Sequence, residues 1–78
     1  MNRLKELRER RAKLFAEADE ILRRARSAAR DLTKEERERF DKLHDEIDEL
    51  GAEIRRIERH EDAGRELEQS RGVVAGRQ

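Results

Sequence analysis

Apolar side chains recur along two stretches of the chain at alternating steps of three and four residues. The first stretch runs from Leu4 to Ala28 and the second from Phe40 to Ile57. These steps keep a narrow stripe on one face of an α-helix, as at the a and d positions of a coiled coil. A β-strand requires alternation by two, which neither stretch has. The pattern predicts an all-α chain whose two helices pair through these stripes.

The residues at the a and d positions form the predicted pairing seam. In the first helix the seam contains Leu4, Leu7, Arg11, Leu14, Ala18, Ile21, Ala25 and Ala28. In the second helix it contains Phe40, Leu43, Ile47, Leu50, Ile54 and Ile57. Phe15, Leu22 and Ala29 lie beside the first seam, which makes the apolar face wider than one partner helix covers. We expect the large seam residues and Phe15 to mediate both helix pairing and association with other chains.

Residues typical of a helix cap and a turn lie between the two stretches. Thr33 and Glu36 have the spacing of a capping box, in which each side chain accepts a hydrogen bond from the other residue's backbone N–H. Basic residues end the first helix and acidic residues begin the second, and both suit the helix macrodipole. The same spacing also occurs inside helices, so one unbroken helix is the alternative. The combined signals favour a turn.

These signals predict one domain, an antiparallel two-helix hairpin over residues 1–68. The expected elements are helix 3–29, turn 30–33, helix 34–62 with fraying to 68, and a flexible tail or linker over 69–78. Helices joined by a short turn normally fold back on each other. A domain-swapped dimer with a straightened turn has the same periodicity and remains open.

Charge divides unequally between the two halves of the hairpin. Residues 1–30 hold 10 Lys and Arg against 5 Asp and Glu, whereas residues 31–68 hold 8 against 15. A basic first helix is therefore expected to attract an acidic second helix. Because each exposed ion pair contributes only about 0–1 kcal/mol, this attraction selects the partner more than it stabilises the fold.

Composition leaves little material for a core. Of the 78 residues, 33% are apolar and 51% are charged. A core of this size seldom leaves more than about 3–5 kcal/mol of net stability. A lone hairpin is thus marginal, and we expect a homo-oligomer.

The sequence lacks residues that several classes of function require. The chain has no cysteine, and its longest apolar run is three residues, so we expect no thiolate site, membrane span or signal-peptide core. His44 and Asp48 are four residues apart, with Asp45 nearby, but we interpret them as a solvated acidic face rather than a metal site. We predict no catalytic residue, cofactor or metal, and a chain that stays on the cytosolic side of any export system.

The alternative function is nucleic-acid binding through the basic first helix. Six Lys and Arg side chains between Arg3 and Lys13 could meet phosphates. The acidic second half would repel phosphates, and the chain has no Trp or Tyr on which bases could stack. Nucleic acid is therefore the less favoured partner.

Three segments in order resemble a known family. They are the basic opening at residues 1–14, the turn R-D-L-T-K-E-E at 30–36, and F-D-K-L at 40–43 followed by the Ile and Leu ladder to Ile57. Together they cover about residues 1–60 and resemble the N-terminal scaffolding (delta) domain of HK97-type phage major capsid proteins.

The resemblance implies an internal scaffold that acts during procapsid assembly in the host cytoplasm. Its implied partners are other copies of the domain, the capsid subunits and a phage maturation protease. In that family a shell domain follows the scaffold, whereas these 78 residues contain none. The chain then corresponds either to an excised domain or to a free-standing scaffold-like protein.

Overall fold

Two helices account for nearly all of the chain in the computed structural model, which describes the backbone of residues 2–77 and the side chains of residues 2–70. Helix α1 spans Arg3–Ser27 and helix α2 spans Lys34–Arg77. The helices pack against each other, and the described residues contain no strand. The prediction of an all-α helical hairpin is confirmed. None of the described helices has a segment long and apolar enough to cross a bilayer.

The seam closes the hairpin in antiparallel register. Leu4, Leu7 and Ile54 form a buried cluster, against which Leu50 and Ile57 pack. The start of α1 therefore lies beside residues 50–57 of α2. This register, continued toward the turn, brings Leu14 level with Ile47 and Ile21 level with Phe40.

Burial along the seam is uneven. The buried seam residues are Leu4, Leu7, Ala18, Ala25, Leu43 and Ile54. The half-buried seam residues are Arg11, Leu14, Ile21, Phe40, Ile47, Leu50 and Ile57. Two of the six buried side chains are alanines, which remove little apolar area from water, so their burial stabilises the hairpin only modestly. The core is a single thin line of contacts.

Helix α1 ends two residues earlier than predicted, because Ala29 adopts a left-handed backbone with φ of 51°. The N–H of Ala29 donates to the carbonyl of Arg26, and the N–H of Arg30 donates to the carbonyl of Ala25. These two bonds form a Schellman motif, which reverses the chain after a helix. Glycine normally occupies the left-handed position, so an alanine there gave no signal in the sequence.

Helix α2 is longer than predicted and continues to Arg77, where we expected fraying after residue 62 and a flexible tail over 69–78. The segment contains no proline, so every backbone N–H remains able to donate to the residue four earlier. Its glycines weaken a helix by about 1 kcal/mol each without interrupting that ladder. Gln78 lies outside the described residues.

The far part of α2 projects beyond α1 as an unpaired helix. The side chains of residues 59–70 are all exposed, including Leu67, and nothing lies within 4 Å of the position that a Cβ on Gly64 would occupy. An ion pair between Asp62 and Arg65 lies within this segment. The molecule is accordingly rod-shaped, 69 Å long and 22 Å by 18 Å across.

Replacing Ala29 with glycine should stabilise the hairpin by about 1 kcal/mol, because an L side chain in the left-handed region is strained. Thermal and urea unfolding followed by circular dichroism measures the change. Ala28→Gly is the matched control, since Ala28 has ordinary helical angles and should lose stability on substitution. Equal effects at the two positions would contradict the left-handed cap.

The double substitution of Leu43 and Ile47 with aspartate should abolish most of the helicity. Leu43 is only 6% exposed, and an unpaired buried carboxylate costs more than a core of this size supplies. Leu67→Asp, on the projecting segment, is the control and should leave the circular dichroism spectrum unchanged. Helicity that survives the double substitution would show that the seam does not hold the hairpin together.

Candidate association surface

Three ion pairs between the helices define two flanks of the hairpin. Arg3 donates to Glu53 at 3.0 Å and Arg39 donates to Glu17 at 3.4 Å, and all four residues occupy heptad g positions. Arg8 donates to Glu58 at 2.5 Å, and both residues occupy e positions. Because e and g lie on opposite sides of an a/d seam, the pairs bracket the seam from both sides.

The g positions form a charged flank. Its members are Arg3, Arg10, Glu17 and Arg24 of α1 and Arg39, Glu46, Glu53 and His60 of α2. The two ion pairs on this flank cover part of the seam with charged groups. This charged side of the hairpin is suited to contact with water.

The e positions between the turn and the Arg8–Glu58 pair form a flank with few charges, called here the apolar flank. Its members are Phe15 and Leu22 of α1 and Arg37, His44 and Gly51 of α2, of which only Arg37 is charged at neutral pH. Phe15 is 55% exposed, whereas Leu22 and His44 are half-buried. The ring of His44 lies against that of Phe40, with centroids 4.6 Å apart. This flank leaves the half-buried seam residues uncovered on one side.

Gly51 is buried against the side chains of two arginines. A Cβ there would meet a guanidinium nitrogen of Arg55 at 3.5 Å and one of Arg11 at 3.8 Å. In the seam register, Gly51 lies about 7.5 Å along the hairpin axis from the level of Phe15. The exposed phenyl ring and Gly51 are therefore at different levels of the hairpin.

Charge is arranged in bands along the hairpin, which refines the prediction of one basic and one acidic helix. In the middle of the hairpin, residues 14–22 hold three acids and no base, while residues 40–50 hold five acids and one base. At the open end, residues 2–13 hold six bases and two acids, and residues 51–59 hold three bases and two acids. One of the three cross-helix pairs has its arginine on α2. Both helices thus share a basic open end and an acidic middle.

The Glu36 carboxylate accepts hydrogen bonds from groups at the end of α1 and the start of α2, and so holds the turn. The backbone N–H of Glu36 donates to the Thr33 hydroxyl at 3.1 Å, and the Thr33 N–H donates to the Glu36 carboxylate at 2.9 Å. Both bonds of the expected capping box are therefore present. The Arg30 guanidinium, just past the end of α1, donates to both oxygens of the same carboxylate at 2.6 Å and 3.1 Å. Glu36 accordingly fixes the start of α2 relative to the end of α1.

This clamp lowers the pKa of Glu36 from 4.5 to about 2, chiefly through the hydrogen bonds from Arg30 and secondarily through the Thr33 N–H. The same contact raises the pKa of Arg30. Both shifts stabilise the charged forms, which are the forms that hold the turn at neutral pH.

The sequence singled out the eleven large seam and flank residues but not His44 and Gly51 as parts of one surface. Their shared heptad position would have revealed them, since e positions of an antiparallel pair face each other. His44 packs on Phe40 rather than joining Asp48 and Asp45. Across residues 2–70 no three His, Asp or Glu side chains lie close enough together to hold a metal ion.

Comparison of the chain with protein-family models, curated proteins and solved structures finds no match.

The lowered pKa of Glu36 predicts acid sensitivity of the turn. A group whose pKa is depressed on folding contributes stability that is complete above its unfolded value and disappears as pH falls through its folded value. The clamp should therefore weaken between about pH 4.5 and pH 2. Carbon-13 NMR of the side-chain carboxyls should give Glu36 a titration midpoint near 2.

Arg30→Met should raise the midpoint of Glu36 toward the ordinary range, because it removes the largest cause of the shift. Arg26→Met is the control, since no ion pair involves Arg26 among the described side chains. A Glu36 midpoint that Arg30→Met leaves unchanged would contradict the clamp.

Proposed function

We propose that this hairpin is an assembly domain, which acts as an internal scaffold by bringing phage capsid subunits together through helical contacts. The observation that carries the proposal is the apolar flank, on which Phe15 is 55% exposed above a half-buried seam. The phage-capsid part of the proposal rests on the resemblance of residues 1–60 to the delta domain of HK97-type capsid proteins.

The physical properties of the hairpin suit a scaffold. Its core is thin, and its uncovered flank is about two helices wide, so each contact between hairpins is weak and reversible. Many such contacts acting together on subunits of one shell raise the effective concentration without requiring a tight pairwise complex. Weak contacts also allow the scaffold to leave once the shell has formed.

The proposed partners are other copies of the hairpin and capsid subunits, with a phage maturation protease as the enzyme that removes the scaffold. The place of action is the interior of the procapsid in the host cytoplasm. The work is done by contact, with no reaction at the hairpin and no cofactor.

Nucleic-acid binding is the second candidate, and one cluster favours it. Arg55, Arg56 and Arg59 line a shallow depression on the outer side of α2, at the same end as the basic start of α1. Against this, the acidic middle of the hairpin lies directly beside that end and repels a continuous phosphate backbone. Contact between proteins accounts for both the basic and the acidic band.

Phe15→Ser should reduce capsid assembly while the hairpin stays folded. The test expresses the shell polypeptide encoded in the same or a neighbouring reading frame together with the hairpin, and closed shells are counted by electron microscopy. Because Phe15 contributes apolar contact area outside the seam, its loss should weaken association far more than helicity. Leu67→Ser, at a comparably exposed leucine on the projecting segment, is the matched control.

Shells that close equally well with Phe15→Ser, or without residues 1–70, would refute the scaffolding role. The second candidate is tested with labelled DNA and RNA at low and high salt. We expect no salt-sensitive binding at micromolar protein, and such binding would favour the nucleic-acid function.

A further inference from the structure

We propose that Arg11 and Arg55 form a binding site for a small phosphate-type oxyanion, which links the two helices near the open end of the hairpin. Arg11 belongs to α1 and Arg55 to α2, and the guanidinium groups of both lie over Gly51. The site requires neither self-association nor the proposed scaffolding role.

Two guanidinium groups from different helices converge on Gly51. One terminal nitrogen of Arg55 and one of Arg11 lie 3.5 Å and 3.8 Å from the position of a Cβ on this glycine. Because both distances start from one point, the two nitrogens are no more than about 7.3 Å apart, the sum of the two distances. Like charges at such a separation repel each other, and an anion between them turns the repulsion into two attractions.

Neither guanidinium has a carboxylate partner. Among residues 2–70, no ion pair or side-chain hydrogen bond involves Arg11 or Arg55. Two acids lie on the same side of α2, but Glu58 is paired with an arginine near the start of α1 and Asp48 is paired with neither guanidinium. The N–H groups of both arginines therefore remain available to an anion.

The position of Arg11 is a second reason to expect a ligand. Arg11 occupies an a position of the seam between Leu7 and Leu14, and it is half-buried. A charged group in an apolar seam lowers stability unless it is paired or hydrated. No side-chain nitrogen of Arg11 is both unpaired and cut off from solvent, so an anion can reach this guanidinium and supply the missing partner.

Gly51 leaves room for the anion between the two arginines. A Cβ there would be in ordinary contact with both guanidinium groups, so a longer side chain would fill the space between them. Charge-assisted hydrogen bonds from N–H to an anionic oxygen are about 2.8 Å long. Two such bonds and the width of one oxyanion span the distance between the arginines.

The charge around the site favours a doubly charged anion. Residues 2–13 and 51–59 together hold nine bases and four acids. Guanidinium groups present their N–H donors in a planar fork that matches phosphate oxygens. A single phosphate meets only this basic end, whereas a nucleic-acid backbone also passes the acidic middle of the hairpin. The site therefore suits a compact phosphate better than a polynucleotide.

Nitrogen-15 NMR of residues 1–78 tests the site directly with inorganic phosphate. Phosphate replaces chloride at constant ionic strength and about pH 7.5, and the backbone amide of Gly51 reports binding. Two charge-assisted hydrogen bonds correspond to a dissociation constant on the order of 1 mM, so the Gly51 shift should saturate in that range. Gly64 has no neighbouring side chain within 4 Å of its Cβ position and is the internal control. A Gly51 signal that moves no more than that of Gly64 would overturn the site.

Loss of either arginine should weaken phosphate binding at least about tenfold, because each supplies one of the two guanidinium groups. The variants are Arg11→Met and Arg55→Met, and circular dichroism confirms that they remain helical. Lys13→Met removes the same charge beside Glu17 and Arg39 on the charged flank, and should change the dissociation constant less than about twofold. Equal weakening by all three variants would show that net charge alone attracts phosphate.

Acetate tests the class of ligand. A singly charged carboxylate should bind at least about tenfold more weakly than phosphate, because it offers one charge fewer to the two guanidinium groups. An equally strong response of the Gly51 amide to acetate would overturn the assignment to phosphate.

Binding should also stabilise the hairpin, since the site exists only when both helices are in place. Phosphate at ten times its dissociation constant should raise the thermal midpoint by about 5–10 °C. Arg11→Met should lose most of this rise and retain only the general effect of phosphate on exposed surface. An equal rise in the variant and the wild type would contradict a link between the helices.

A carboxylate placed at residue 51 should substitute for the anion. Gly51→Glu should therefore have a thermal midpoint in chloride roughly 5 °C above that of Gly51→Gln, its neutral match. Both variants gain the same helix propensity over glycine, so the difference reports the charge. Equal midpoints would show that the two arginines do not converge on this position.

Discussion

The structure depends on a narrow apolar seam that repeats at three and four residues along both helices. A seam of this period fixes the helices in antiparallel register, with Leu4 and Leu7 on Ile54, and so determines which residues face each other on either side. It also limits the core, because the alanines in the second half of α1 remove little surface from water. The same constraint that specifies the hairpin leaves it only marginally stable.

Several features were predictable from the sequence because they depend on local chemistry. The period of the seam predicts both helices, and the spacing of Thr33 and Glu36 predicts the start of α2. Other features depend on information that periodicity does not contain. An alanine in the left-handed region ends α1, although alanine rarely adopts it. The length of α2 was missed because exposed, polar residues give a helix no apolar stripe to detect.

The candidate surface was only partly predictable for a related reason. Phe15 stood out as an apolar residue beside the seam, but its surroundings depend on the register between the helices. That register aligns the charged bands of the two helices, so that charge varies along the hairpin as well as between its helices. One flank is closed by charged pairs and the other is open and apolar. This difference between flanks is the basis of the proposed association through one side of the hairpin.

Because the core is thin, the proposed association would be coupled to folding. A hairpin that gains much of its burial from a second copy should become more stable as its concentration rises. The most direct measurement is the thermal unfolding midpoint of residues 1–78 by circular dichroism, from about 1 μM to about 1 mM chain. We expect a midpoint that rises steadily across this range. A midpoint that is high and independent of concentration would show that the seam alone suffices, and would contradict the account.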